Sequence, residues 1–286
     1  MESTLICPVK INITLRIMES REDGYHELFS AFWKKNGAER LTIRSVSDEN
    51  MADKLTVHGA VIEGENILSK ALASARSCKP CIPAIEMVLE KHYPQGSGIG
   101  AGSGDAAALV RFLNYRYGAF KEQADIASLG ADVAFLAGGS EVAFARGVGE
   151  KLAPQKDIGG LFWILAFPSW QSHTGAAYAA LDQRRAVACE AVMSDADCEK
   201  EALAITGKLR RGEQVGLLPN DFTQVLLDVH GEYSEAFDAA SQHALAWGLC
   251  GSGSALFAVC GDRTAAEKTQ KTFEKFNWII KISILE

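Results

Sequence analysis

Pro94-Gln-Gly-Ser-Gly-Ile-Gly-Ala-Gly-Ser-Gly-Asp-Ala-Ala-Ala108 decides how this chain is read. Glycines alternate through it, at Gly96, Gly98, Gly100, Gly102 and Gly104. Residues 82–91 before it have the composition of a strand, and residues 105–117 after it predict a helix. Strand, glycine loop and helix together make an anion-binding arrangement. Glycine reaches φ > 0 and lets a ligand approach the backbone. The free N–H groups and the dipole at a helix start favour phosphate. No Lys lies between Gln95 and Arg111, which excludes a G-x-x-x-x-G-K-[ST] loop. Gly96-Ser-Gly-Ile-Gly-Ala101 does fit G-x-G-x-x-A, yet the glycines run on past the point where that helix should begin. A flexible linker is the bland alternative; an alanine-rich helix directly after the loop argues against it.

Composition narrows the class. The 286 residues are 48% hydrophobic and 23% charged, as in ordinary globular proteins. The length suits one large domain or two of roughly 140 residues. A net charge of −7 gives no footing for nucleic acid or an anionic membrane surface. Met-Glu-Ser-Thr-Leu-Ile-Cys-Pro-Val-Lys10 lacks the basic start and long apolar core of a signal peptide. No run approaches the ~18 apolar residues of a membrane span, so a cytoplasmic protein is expected. Seven cysteines, an odd number, fit reduced thiols. Cys78-Lys-Pro-Cys81 has no second pair to complete a zinc site. It also follows a helical segment, where a redox motif would open one after a strand.

Along the chain, residues 5–17 read as a strand with Lys10 and Asn12 on one face and Ile11 and Ile13 on the other. On that reading the two polar residues look into a cleft. Arg21-Glu-Asp-Gly24 is a turn signal, followed by Tyr25-His26-Glu-Leu28. Residues 40–45 and 54–57 read as short strands, and Glu63-Gly-Glu-Asn66 as a turn into a helix over 67–76. A helix over 122–129 ends at Gly130-Ala-Asp132-Val-Ala-Phe-Leu. Asp132 stands in an apolar segment, where a buried carboxylate needs a partner; a helix cap is the other reading. Strands are expected over 140–145, 150–153 and 161–167, and helices over 173–182, 197–211 and 233–243. Asn220 or Asp221 is the expected N-cap of a further helix. Gly251-Ser-Gly-Ser254 precedes an apolar strand, then come a helix over 263–276 and a strand over 278–285.

Three motifs now stand in order: Pro8-Val-Lys-Ile-Asn12, the glycine loop from Pro94, and Gly251-Ser-Gly-Ser254. This order resembles the galactokinase, homoserine, mevalonate and phosphomevalonate (GHMP) kinase superfamily over almost the full length. Within it the chain looks most like the branch that phosphorylates a hydroxyl of 4-diphosphocytidyl-2-C-methyl-D-erythritol, in non-mevalonate isoprenoid synthesis. The signatures are Asp23-Gly-Tyr-His-Glu-Leu28, Gly64-Glu-Asn-Ile-Leu68, Gly130-Ala-Asp-Val133, Ala145-Arg-Gly-Val-Gly-Glu-Lys-Leu152 and Asn220-Asp221. Several places depart from the pattern. Ala101 replaces a glycine, Gly104 replaces a serine, Gly130-Ala-Asp-Val-Ala-Phe-Leu136 stands for G-A-D-V-P-F-F, and Phe32-Trp-Lys-Lys-Asn is an unusual segment.

The resemblance implies an α/β (α+β) fold of two lobes, 1–154 for ATP and 155–286 for substrate, with the active site in the cleft between them. ATP would lie on Pro94, Gly96, Gly98, Gly100, Gly102, Ser103 and Gly104, with adenine near Asn66 and Lys91 and Mg²⁺ on the phosphates. Asp132 would take or orient the hydroxyl proton, with Lys10 beside it. Asn12 and Thr174 would position the substrate. Tyr25 and Tyr178 would stack on the cytosine, and His26 would bond its polar edge. The partner implied is a small cytidylyl molecule, with no nucleic acid or membrane; a homodimer is compatible. Two rival readings stay open: a kinase for another small alcohol, and a nucleotide-binding regulator without turnover.

Overall fold

The computed structural model describes residues 2–22, 24–45, 52–62, 64–120, 123–188 and 191–286. Expectations that fall on Asp23, Glu63, Glu122 and Cys189 lie outside the described residues. The chain divides into two compact units, each assembled from several stretches. One holds Met1–Val9, Asn36–Gln95 and Gly100–Gly139; the other holds Lys10–Lys35, Gly96–Ile99 and Ser140–Glu286. Two long strands, β1 (Glu2–Ser20) and β2 (His26–Ser45), contribute to both. Strand β2 starts well before the expected residue 40. It runs through the unusual Phe32-Trp-Lys-Lys-Asn segment, where Lys34 is buried and Lys35 lies over the rings of Trp33 and Trp163. Long aliphatic stems let both lysines sit in a strand.

In the first unit the end of β2 is followed by β3 (Lys54–His58), α1 (Ile67–Cys78) and β4 (Ile85–Glu90). β4 lies antiparallel to β2, with Leu41 opposite Leu89 and Ile43 opposite Met87, and parallel to β3. Its alternation buries Ile85, Met87 and Leu89 and leaves Glu90 exposed, as a sheet with one covered face requires. Helix α1 starts where Asn66 Oδ1 accepts a hydrogen bond from Leu68 N at 2.9 Å. It buries Leu68, Ala71, Leu72 and Ala75, one stripe at helical spacing.

The glycine loop leads into α2 (Ala101–Tyr117), which begins ahead of the expected residue 105. Gly102 and Gly104 therefore belong to its first turn. α2 packs on α1 and on α4 (Ala131–Ala137), with α3 (Gln123–Ala127) between α2 and α4 in sequence. The run from Gly104 to Val110 is wholly buried, and small residues make that depth accessible. A Cβ built on Gly104 would stand 1.8 Å from Pro8 O, so only glycine fits there.

In the second unit, residues Ser30 to Trp33 of β2 pair antiparallel with β5 (Val142–Arg146), which pairs with β6 (Lys151–Gln155). A second sheet is built from β7 (Phe162–Pro168), β8 (Gly216–Leu217), β9 (Ala246–Leu249), β10 (Leu256–Cys260) and β11 (Ile279–Leu285). Its order is β11-β7-β10-β9-β8, antiparallel except where β8 meets β9. Helices α8 (Glu232–Ser241) and α9 (Arg263–Phe273) cover it, and Tyr233, Phe237, Leu256 and Phe273 share that core. A smaller core joins β1 to α5 (Thr174–Ala188) and α7 (Phe222–Val229) through Leu15, Ile17, Leu181 and Phe222. Helix α6 (Asp195–Arg210) starts at the Ser194 cap. No described helix is long and apolar enough to cross a membrane.

The approach of α2 to Pro8 generates a prediction about the departure at residue 104. Gly104→Ser installs the residue that the superfamily pattern carries, yet here its Cβ meets a backbone oxygen that cannot swing away. Stability should fall by about 1–3 kcal/mol, the usual cost of overpacking. Chemical denaturation measures it, and an unchanged midpoint would show that β1 and α2 separate freely.

Candidate active site

The glycine loop turns through φ +68 at Gly96, +79 at Gly98 and +67 at Gly100, values that favour glycine. Gly100 caps α2 with no side-chain hydrogen bond. The first N–H groups of α2 thus have no helical partner, while Gly104 N already donates to Gly100 O at 2.8 Å. A Cβ on Gly102 would meet nothing within 4 Å, so the first turn has open space over it. Half-buried Ser103 adjoins it, and half-buried Pro94 leads into the loop. Donors without partners and room for an anion are what a phosphate cradle needs.

Lys10 and Asn12 are not on an open face: they are 6% and 3% exposed. Lys10 Nζ donates to Asn12 Oδ1 at 3.0 Å and lies 4.9 Å from the centre of the Phe32 ring. Asn12 Oδ1 also accepts from Gly251 N at 3.1 Å, and Asn12 Nδ2 donates to Ser30 Oγ at 2.9 Å. Asn12 therefore braces β1 to the C-terminal glycine-serine loop as well as to Lys10. Asn220 completes the brace, donating to Gly251 O at 2.8 Å while its Oδ1 accepts from Phe222 N. Of the two expected caps for α7, Asn220 is the one whose side chain bonds the helix start; Asp221 makes no cap bond. Buried Tyr233 donates to Ser254 O at 2.7 Å.

Tyr178 and His26 do come together, ring centres 5.1 Å apart. Phe222 sits edge-on to Tyr178 at 4.9 Å, and burial raises the Tyr178 hydroxyl's pKa. Tyr25, in the turn before β2, is 67% exposed. Thr174 opens α5, and its hydroxyl is 3.1 Å from Ser252 Oγ; Ser172 Oγ donates to Ser252 O at 2.7 Å. Sequence reading missed Ser172, Ser252 and Asp182, whose Oδ1 is 2.8 Å from His26 Nε2. Asp182 falls one helical turn after Tyr178, and that i, i+4 spacing was the available signal.

Asp132 lies in the first turn of α4 behind the cap residue Gly130 and is half-exposed, so of its two readings the buried carboxylate is corrected and the cap falls to Gly130 instead. The short helix behind Gly130 puts its carboxylate at the edge of the apolar run that follows.

Asn66 uses its oxygen to cap α1. Lys91 is buried at the end of a chain of charge: its Nζ donates at 2.7 Å to both Glu39 Oε2 and Asp105 Oδ2. Glu39 Oε1 accepts from His92 N and Tyr93 N. The Lys91 ammonium is therefore directed into this cluster. Burial alone would lower its pKa, but the two carboxylates outweigh burial and hold it above the usual lysine value. One cation between two buried carboxylates leaves an excess negative charge. Burial, with Glu39 adding to it and Lys91 opposing, pushes the Asp105 carboxyl up to about 7. Asp105 Oδ1 is buried and has no hydrogen-bond partner among the described residues. Cys7 lies beside it, and burial, then the Asp105 charge, push that thiol up. The six described cysteines are free, Cys78 and Cys81 among them.

Comparison with known proteins fits this arrangement. The profile for the GHMP kinases N terminal domain matches residues 66–146, and that for the GHMP kinases C terminal matches 199–277. A 4-diphosphocytidyl-2-C-methyl-D-erythritol kinase of Solidesulfovibrio magneticus is 31% identical over 93% of this chain and 90% of its own length. One from Moorella thermoacetica is 31% identical over 92% of this chain and 93% of its own. A crystal structure of 4-(cytidine 5'-diphospho)-2C-methyl-D-erythritol kinase superposes with a TM-score of 0.80 at 27% identity, covering 100% of this chain and 98% of the other. The class is thus the GHMP kinases, a class that uses ATP. Within it, the chain belongs to the 4-diphosphocytidyl-2-C-methyl-D-erythritol kinase family.

The cluster under α2 makes stability depend on pH. In the folded state Asp105 keeps its proton up to about 7, against the ordinary 3.8. Across that window the fold holds a proton that the unfolded chain has lost, so stability falls as pH rises through it. Asp105→Asn removes this dependence. The variant should gain on the parent between about pH 4 and 7 by at least about 1.4 kcal/mol, the worth of one pKa unit. Parallel stability–pH profiles would mean that Asp105 ionises like a surface carboxyl.

Proposed function

We propose that the chain transfers the γ-phosphoryl group of ATP to a hydroxyl of 4-diphosphocytidyl-2-C-methyl-D-erythritol, in non-mevalonate isoprenoid synthesis. The observation that carries this reading is the extent of the likeness. It spans nine-tenths or more of both chains, so it takes in the glycine loop and the Tyr178–His26 pair alike. Phosphoryl transfer asks for positioning and charge neutralisation more than for covalent chemistry. The residues fit the donor: the loop from Pro94 leads to a helix start whose first N–H groups have no helical partner, with open space at Gly102. Adenine would lie near Asn66 and the backbone of Lys91. No cluster of three or more His, Cys, Asp or Glu able to hold a metal occurs among the described residues. Mg²⁺ would then be held chiefly by phosphate oxygens and water, neutralising their charge.

In this proposal Asp132 takes or orients the proton of the attacking hydroxyl, and Lys10 stabilises charge on the transferred group. Tyr25 and Tyr178 stack on cytosine, His26 reads its edge, and Thr174 and Asn12 help to seat the substrate. Lobes 1–154 and 155–286 divide the ATP and substrate roles. The proposal places the enzyme in the cytoplasm and is compatible with a homodimer, which sedimentation would reveal.

ADP release with and without the cytidylyl substrate tests the reading. Release that depends on that substrate supports it. Dependence on another alcohol alone, or binding of ATP with no release, would point to one of the rivals. Asp132→Asn should lower kcat by roughly 10²–10⁴, the usual worth of a general base, with ATP affinity kept. Lys10→Met should lose most activity and some stability, because Asn12 Oδ1 loses a donor. The two losses should not add in the double variant, since both groups act on one transition state. Near-normal turnover by Asp132→Asn would refute the mechanism.

A further inference from the structure

Helix α5 presents Tyr178 and Asp182 on one face, a turn apart. The helix is held in place from behind. Ala177 and Leu181 sit in the core with Ile17 and Phe222, and Arg185 donates to Asp221 Oδ2 at 2.6 Å and to Ile17 O at 2.9 Å. Opposite that face stands His26, the first residue of β2. Its ring packs on Tyr178, and its Nε2 is 2.8 Å from Asp182 Oδ1. The His26 side chain is 10% exposed, while that of Asp182 is 51% exposed. One ring nitrogen is thus engaged by a carboxylate that reaches in from the surface.

An ionised carboxylate only accepts hydrogen bonds. Nε2 must therefore carry the proton in this pair, and in the neutral ring Nδ1 is left as the sole lone pair. A bare acceptor distinguishes pyrimidines. Cytosine carries an exocyclic amine, which donates; uracil carries a carbonyl at the same place, which only accepts. The opposite tautomer would have the opposite preference. A residue that sets the tautomer therefore sets the base.

We propose that Asp182 is a specificity-determining positioning residue: it locks His26 as the Nε2–H tautomer, so that Nδ1 accepts from a cytosine amine and rejects a uracil carbonyl. The role rests on the proposed cytidylyl substrate, whereas the lock itself rests on the His26–Asp182 pair. A site built to hydrogen-bond a polar group discriminates strongly against an analogue that cannot answer it.

Two measurements on the full-length protein test this. Long-range ¹⁵N–¹H spectra of the His26 ring report the tautomer with no substrate present. The parent should show the Nε2–H form, and Asp182→Ala a mixture of both. Steady-state kinetics with the cytidylyl substrate and its uridylyl analogue report the consequence. In Asp182→Ala, KM for the cytidylyl substrate should rise and the cytidylyl preference should fall about tenfold, a difference readily resolved in kinetics. KM for ATP should stay put, and Asp182→Glu should restore part of the preference. An unchanged preference in a folded Asp182→Ala protein overturns the proposal, as does a mixed tautomer in the parent. If the parent shows the locked tautomer but does not use the cytidylyl substrate, the proposed function has failed; the base-reading role falls with it while the lock stands.

Discussion

The second unit depends on two backbone segments lying closer than any side chain would allow. Gly98 leaves no room for a Cβ, which would stand 1.9 Å from Cys250 O. Glycine at that point lets the loop before α2 lie against the loop before β10. Four hydrogen bonds then join them to each other, to β1 and to the start of α7. Ala255 N donates to Ser97 O, Lys10 N to Ile99 O, Gly251 N to Asn12 Oδ1, and Asn220 Nδ2 to Gly251 O. Asn12 and Asn220 are buried, so each broken bond would strand a polar group out of water and cost about 1–3 kcal/mol. The two glycine loops and the Lys10 strand are thus one mechanical piece. Ser252, in the same piece, meets Ser172 and Thr174 and so sets where α5 begins.

The first unit has a different constraint, which is charge. Lys91, Glu39 and Asp105 are all nearly sealed from water. Such a cluster adds little net stability as a whole, because desolvation offsets attraction, but removing Lys91 would leave two carboxylates buried without a cation. Its value is geometric: it ties β2 and β4 to α2 a few residues from the glycine loop. The network of Arg16, Glu201, Asp221 and Arg185 in the second unit works under milder terms, since those side chains remain partly wetted. There Asp221 also accepts from Ile17 N, so the Asn220-Asp221 pair serves twice, one residue for a loop and the other for a strand.

The glycine loop and the His26 pair are built from different kinds of group. The groups around the glycine loop are backbone amides whose positions follow from φ angles. The groups around His26 are side chains whose hydrogen-bond character depends on a neighbour. That difference explains why the glycine loop was plain in the sequence while Asp182 was not.

Local chemistry, then, is what the amino-acid order settled alone. Alternate glycines ahead of an alanine-rich run specify a loop with positive φ and a helix behind it, and both are present. The Asn66 cap, the β4 alternation and the strands and helices of the second half are legible for the same reason: each depends on residues a few places apart. Tertiary structure decided whatever joins distant residues. It lengthened β2 through Lys34 and Lys35 by burying their stems, and it started α2 at Ala101, where Gly104 has to clear Pro8. It directed the Lys91 ammonium to Glu39 and set Asp182 against His26, partners 52 and 156 positions apart. No periodicity spans such gaps, because only the packing of one element on another determines which buried charge has a partner and which nitrogen keeps its proton.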